Sequence, residues 1–87
     1  MAAIREQAGK LDQTIFANFT HRPGEDLAAA LLGIAPKGLS HVFYSDSGST
    51  AVEVALKMAL GFWHNRGRPR TKIIALEHAY HGDTIGT

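Results

Sequence analysis

Apolar residues change their spacing several times along the chain, and each change marks a predicted element. Met1 to Leu11 carries Ala2, Ala3, Ile4, Ala8 and Leu11 among charged residues, the pattern of a short amphipathic helix. Asp12 to Thr20 holds Ile15, Phe16 and Phe19 without a clean period and reads as an extended stretch that has to cover something apolar. A second helix then opens. Thr20 or His21 precedes Pro23, an early-helix residue, and Glu25 and Asp26 fall in the first turn, where the helix dipole favours carboxylates. Leu27, Ala30, Leu31 and Ile34 carry its apolar face, Gly33 weakens it, and Pro36 with Gly38 ends it.

Past the loop Lys37 to Ser40 the period shortens. Val42, Phe43 and Tyr44 are β-branched and aromatic residues in a short run closed by Ser-Asp-Ser-Gly-Ser, which predicts a strand buried on both faces. From Ala51 the helical period returns in Val52, Ala55, Leu56, Ala59, Leu60 and Trp63. Ser49 is the expected N-cap, and Glu53 with Lys57 forms an expected i, i+4 pair. Asn65 to Lys72 is a basic loop punctuated by Gly67 and Pro69, and Ile73-Ile-Ala-Leu76 predicts a second buried strand. Strand, helix, strand with this crossover predicts two parallel strands of an α/β sheet, joined right-handedly.

Composition narrows the options modestly. The chain has 87 residues, 45% of them hydrophobic and 20% charged, with a formal net charge of +1. That is an ordinary globular composition for at most one domain, short for a sheet covered on both faces. A near-neutral balance supplies no field for nucleic acid, and the basic run at 65–72 reads as a solvated connector. Zero cysteines exclude disulfides, thiolate catalysis and cysteine-based zinc sites. The chain has no apolar run of about 20 residues and no charged-then-apolar leader pattern, so a cytoplasmic location is the default expectation.

Chemistry concentrates at two turns. A helix starting after Ser47-Gly48-Ser49 leaves its first backbone N–H groups without intrahelical acceptors and places a partial positive charge there. Gly48 permits close backbone approach, and the hydroxyls of Ser47, Ser49 and Thr50 can donate to phosphate oxygens. The same turn serves equally as a capped helix start that binds nothing. Ligands of parallel α/β sheets bind beyond the carboxyl ends of strands, which puts the loop Glu77 to Thr84 beside this turn. Tyr80 there offers a ring for stacking on a planar cofactor, and His81 a polar imidazole; an aromatic packed into a plain turn is the alternative. His78 and His81 lack the further ligand that a metal site requires.

The run Asp46 to Leu60, DSGSTAVEVALKMAL, together with Tyr80-His-Gly-Asp-Thr84, resembles the class III aminotransferases of the fold-type-I pyridoxal-phosphate enzymes. The pieces AVEVALKMAL and YHGDT, with Thr20-His21 and Pro23, resemble the biotin-pathway branch of that class more than its ω-amino acid:pyruvate transaminases. The resemblance implies an α/β fold, with residues 1–87 a single incomplete segment of a three-layer α/β/α large domain, containing two parallel strands and flanking helices. It implies pyridoxal 5′-phosphate as cofactor, with Gly48 and Ser49 at its phosphate, Tyr80 stacked on its ring, and His81 and Gly82 flanking Tyr80. It implies a parent that moves an amino group from a small-molecule donor, S-adenosylmethionine, to a keto acceptor, 8-amino-7-oxononanoate. That parent is expected to be a homodimer with no nucleic-acid or membrane partner.

No catalytic residue and no metal ligand carries over. In the resembled family the lysine that anchors the cofactor and the aspartate that pairs with its ring nitrogen lie beyond Thr87, and Lys57 matches neither. This leaves an ω-amino acid:pyruvate type transaminase and a catalytically dead interaction fragment as alternatives. A stand-alone phosphate-binding module is a third, without a Gly-x-Gly-x-x-Gly or Gly-Lys-Ser/Thr pattern to support it. In the resembled fold the two predicted strands are not neighbours, so the arrangement is expected to need strands this chain does not contain. Buried backbone groups left unpaired cost about 1–3 kcal/mol each.

Overall fold

The computed structural model describes all 87 residues, Met1–Thr87, as three α-helices joined by irregular segments. They are α1 (Ala2–Ala8), α2 (Arg22–Ile34) and α3 (Gly48–Asn65). Two units divide the chain, Met1–Val42 with α1 and α2, and Phe43–Thr87 with α3.

The expected α/β sheet is absent. Val42 to Tyr44 and Ile73 to Leu76 run without regular structure, and neither forms a β-ladder. The three-layer α/β/α reading, with its two parallel strands, is therefore corrected. A strand satisfies its backbone through a neighbouring strand, and β-branched residues favour that arrangement only when a partner and a covering layer exist. Here Phe43, Ile74 and Leu76 stay 64%, 98% and 79% exposed.

In the first unit, α2 starts as the sequence predicts. His21 is its N-cap, with Nδ1 accepting from the Gly24 N–H at 3.1 Å, and proline occupies the first turn. Phe16 lies against the His21 ring at 4.9 Å between centroids, whereas Ile15 and Phe19 of the same stretch stay exposed. Gly24 is buried under both rings, and a Cβ there would stand 3.0 Å from each. Arg22 donates to both carboxylate oxygens of Asp26 at 3.0 Å across one helical turn, and the helix ends at Ile34 before Pro36.

In the second unit, α3 is closed at both ends by local chemistry. Its start is a reciprocal capping box: Ser47 Oγ accepts from the Thr50 N–H, and Thr50 Oγ1 accepts from the Ser47 N–H, both at 3.1 Å. The N-cap is thus Ser47 and not Ser49, two residues earlier than expected, because the helix begins at Gly48, ahead of its apolar period. At its other end Gly67 adopts a left-handed φ of 66°, Arg68 N–H reaches the Trp63 carbonyl at 3.2 Å, and Gly67 N–H reaches that of His64 at 2.9 Å. The guanidinium of Arg66 lies 4.6 Å from the Phe62 ring and that of Arg70 lies 3.6 Å from the Trp63 ring, so two cations of the basic loop are spent on aromatic faces.

No hydrophobic side chain is buried in either unit. The accessible surface totals 7993 Å², whereas a compact monomer of this mass exposes about 5,000 Å² and even two separately compact halves would expose about 6,000 Å².

Candidate functional site

Residues four apart on a helix share a face, and in α3 that rule gathers Ser49, Val52, Glu53 and Leu56 into one stripe. The chain from Ile73 to Thr87 meets this stripe. Its apolar part, Ile73 to Ala75, joins Val52, Leu56, His81, Gly86 and Thr87 around a cavity of about 250 Å³. Its polar part reaches the helix start. Ser49 Oγ accepts from the Asp83 N–H at 3.2 Å and stands 3.5 Å from the Tyr80 hydroxyl.

Gly82 makes this approach possible. Its φ of 151° is disfavoured for any residue with a side chain, and a Cβ there would overlap Thr87 and stand 3.0 Å from the Ser49 Cα. The predicted residues Ser49, Tyr80 and Gly82 thus come together in space from opposite ends of the unit. His81 faces the cavity below them, and Gly48 is the first residue of α3.

Electrostatics at the helix start are divided between its two sides. On one side Thr50 Oγ1 donates to Asp46 Oδ1 at 2.7 Å and lies 2.6 Å from Ser45 Oγ. The Thr50 hydroxyl above all, then the Asp46 backbone amide and Ser45, holds the Asp46 carboxyl below its ordinary value. On the other side the N–H groups of Gly48 and Ser49 have no protein acceptor, since the cap takes only the Thr50 N–H and the Ser47 carbonyl takes that of Ala51. Nothing lies within 4 Å of the point a Gly48 Cβ would occupy. Two N–H donors, the Ser49 hydroxyl and the bare Gly48 Cα thus lie together at the helix start, where the dipole favours an anion. Tyr80 reaches this end through its hydroxyl, and its side chain stays exposed.

Glu53 is the residue the sequence reading misplaces. It pairs not with Lys57 but with the terminal turn: Thr84 Oγ1 donates to Glu53 Oε2 at 2.7 Å and the Gly86 N–H at 2.8 Å. Those two donors, Thr84 first, lower its pKa against a smaller opposing effect of desolvation. Its signal was present, because Glu53 is one turn from Ser49 on the same face, but the i, i+4 pairing with Lys57 accounted for it first. Lys57 instead lines a separate groove with Phe43, Val54, Met58 and Phe62.

This arrangement lies in a chain that belongs to the class III aminotransferase family, whose family model matches residues 1–87. Among curated relatives it is similar to the adenosylmethionine-8-amino-7-oxononanoate aminotransferase of Synechococcus elongatus, with 58% identity over 84 residues, covering 97% of this chain and 20% of the relative. The enzyme of the same name from Mycobacterium leprae is 45% identical over 85 residues, again covering 97% of this chain and 20% of the relative. A third of that name, from Geobacter sulfurreducens, is 46% identical over 85 residues, covering 97% of this chain and 19% of the relative. The chain therefore spans about one fifth of the length of the curated relatives it matches. No solved structure matches it at a significant level.

Proposed function

We propose that residues 1–87 are a segment of the cofactor-binding domain of a pyridoxal 5′-phosphate-dependent aminotransferase, and that the start of α3 holds the cofactor's phosphate. The observation that carries this reading is the pair of unpartnered N–H groups at Gly48 and Ser49, beside the Ser49 hydroxyl and the Tyr80 ring. Gly48 and Ser49 bind the phosphate through backbone donors and one hydroxyl, with the helix dipole adding to them. Tyr80 orients the cofactor by lying against its ring, and His81 and Gly82 set the course of the backbone on either side of that contact. When bound, the cofactor supplies an electron sink for the pair released at the amino donor's Cα.

The relatives' name supports S-adenosylmethionine as amino donor and 8-amino-7-oxononanoate as keto acceptor, the amino-transfer step of biotin synthesis. The parent is a cytoplasmic homodimer in this reading. No lysine of the chain serves as covalent anchor in this reading: Lys57 lies in a different groove, Lys10 is paired with Glu6, and Lys37 and Lys72 sit in the loops before and after α3.

The test is cofactor affinity of the full-length parent enzyme and its Ser49→Ala variant, followed by absorbance. Losing one hydroxyl donor to a charged phosphate should weaken binding by about 1.5–3 kcal/mol. Unchanged affinity removes Ser49 from the phosphate site. Conversion of bound cofactor to its amino form by S-adenosylmethionine, and not by ω-amino acids, separates the biotin-pathway assignment from the ω-amino acid:pyruvate alternative.

A further inference from the structure

We infer that Glu53 is a positioning residue: by fastening the 84–86 turn to α3 it holds Tyr80, Gly82 and Asp83 over the helix start, a role that rests on the cofactor reading above.

What joins the loop to Ser49 directly is slight, one neutral hydrogen bond from Asp83 and a 3.5 Å contact with Tyr80. One turn further along, the Glu53 carboxylate accepts two shorter, charge-assisted bonds at 2.7 and 2.8 Å, the stronger class of hydrogen bond. Both donors arrive from a turn that is itself braced. The Thr84 N–H donates to Thr87 Oγ1 at 3.1 Å, the two threonine hydroxyls lie 2.9 Å apart, and the Thr87 N–H returns to the Thr84 carbonyl at 3.3 Å.

Glycines mark where the backbone must come close. A Cβ at Gly86 would stand 2.8 and 2.9 Å from the two Glu53 oxygens, so a side chain there would have to push the carboxylate out of its present position. Gly82 is constrained the same way against Ser49 and Thr87. The carboxylate therefore acts at a distance from the ligand, through the turn, and touches neither the open N–H groups nor the Tyr80 ring.

Hydrogen exchange of the peptide 78–87 and pyridoxal phosphate affinity, measured in the full-length parent enzyme, test this on Glu53→Ala, Glu53→Gln and Thr84→Val. Exchange in 83–86 should quicken about tenfold or more in Glu53→Ala, less in Glu53→Gln, which keeps one acceptor oxygen, and affinity should fall in the same order. Thr84→Val should follow Glu53→Gln, with α3 helicity unchanged by circular dichroism, which separates a lost tether from a lost fold. Unchanged exchange in all three variants overturns the tether, and faster exchange with unchanged affinity overturns the positioning role. Affinity that is also indifferent to Ser49→Ala means that the cofactor reading has failed, and exchange alone then decides whether Glu53 holds the turn.

Discussion

Tyr80 keeps 78% of its surface exposed, and its hydroxyl makes only the long contact to Ser49, so its ring has no packing role in this unit. An aromatic left bare beside two open donors is suited to stacking. Tyr80→Ala should weaken pyridoxal phosphate binding by about 0.5–1.5 kcal/mol and shift the bound cofactor's absorbance, whereas Tyr80→Phe should bind within about 0.5 kcal/mol of the parent. Equal losses in both would assign the effect to the hydroxyl and remove the stacking role. At this scale the residue types were legible at Ser49 and Tyr80, whose hydroxyl and ring carry their chemistry locally, whereas the close approach at Gly82 appears only in the folded loop. Glu53 was not, because its partners Thr84 and Gly86 lie more than thirty positions away and only the folded loop reveals them.

At the scale of elements, the helices were readable and the strands were not, for one physical reason. A helix closes its hydrogen bonds within itself, so Pro23, Pro36 and the apolar period around Leu27 locate α2 without knowledge of anything else in the chain. A strand closes them with a neighbour, and Val42 to Tyr44 and Ile73 to Leu76 have the composition of strands without a ladder to join. The start of α3 shows a finer version of this. The apolar period begins at Ala51, but the capping box of Ser47 and Thr50 extends the helix back to Gly48 and frees Ser49 from capping. Ser47→Ala should consequently destabilise α3 by about 1 kcal/mol, the usual cost of losing an N-cap, read as a fall in helicity and melting temperature. Ser49→Ala should leave both close to the parent, and the reverse order would restore Ser49 as the cap.

For the whole molecule the governing fact is surface. Within these 87 residues the accessible area is 7993 Å² and no hydrophobic side chain is buried. The expectation of an α/β layer fails at this scale, since layers need a core to enclose and neither unit has one. What the second unit does hold in place, through the cap of α3, the Glu53 bonds and the close approach at Gly82, is the loop 80–86 against the helix start, where we propose the phosphate cradle at residues 48–49.

Gly48 gives that cradle its most direct test. Nothing in the fold occupies the space its Cβ would fill, and its helical backbone suits alanine. Gly48→Ala should therefore raise stability by about 0.4–1 kcal/mol through a less flexible unfolded chain. If α3 holds the cofactor's phosphate against the Gly48 backbone, the same methyl should obstruct it and lower pyridoxal phosphate affinity about tenfold or more, the loss of one hydrogen bond to a charged group. A more stable variant that binds the cofactor less well is the predicted result; a more stable variant that binds it equally well would contradict the account.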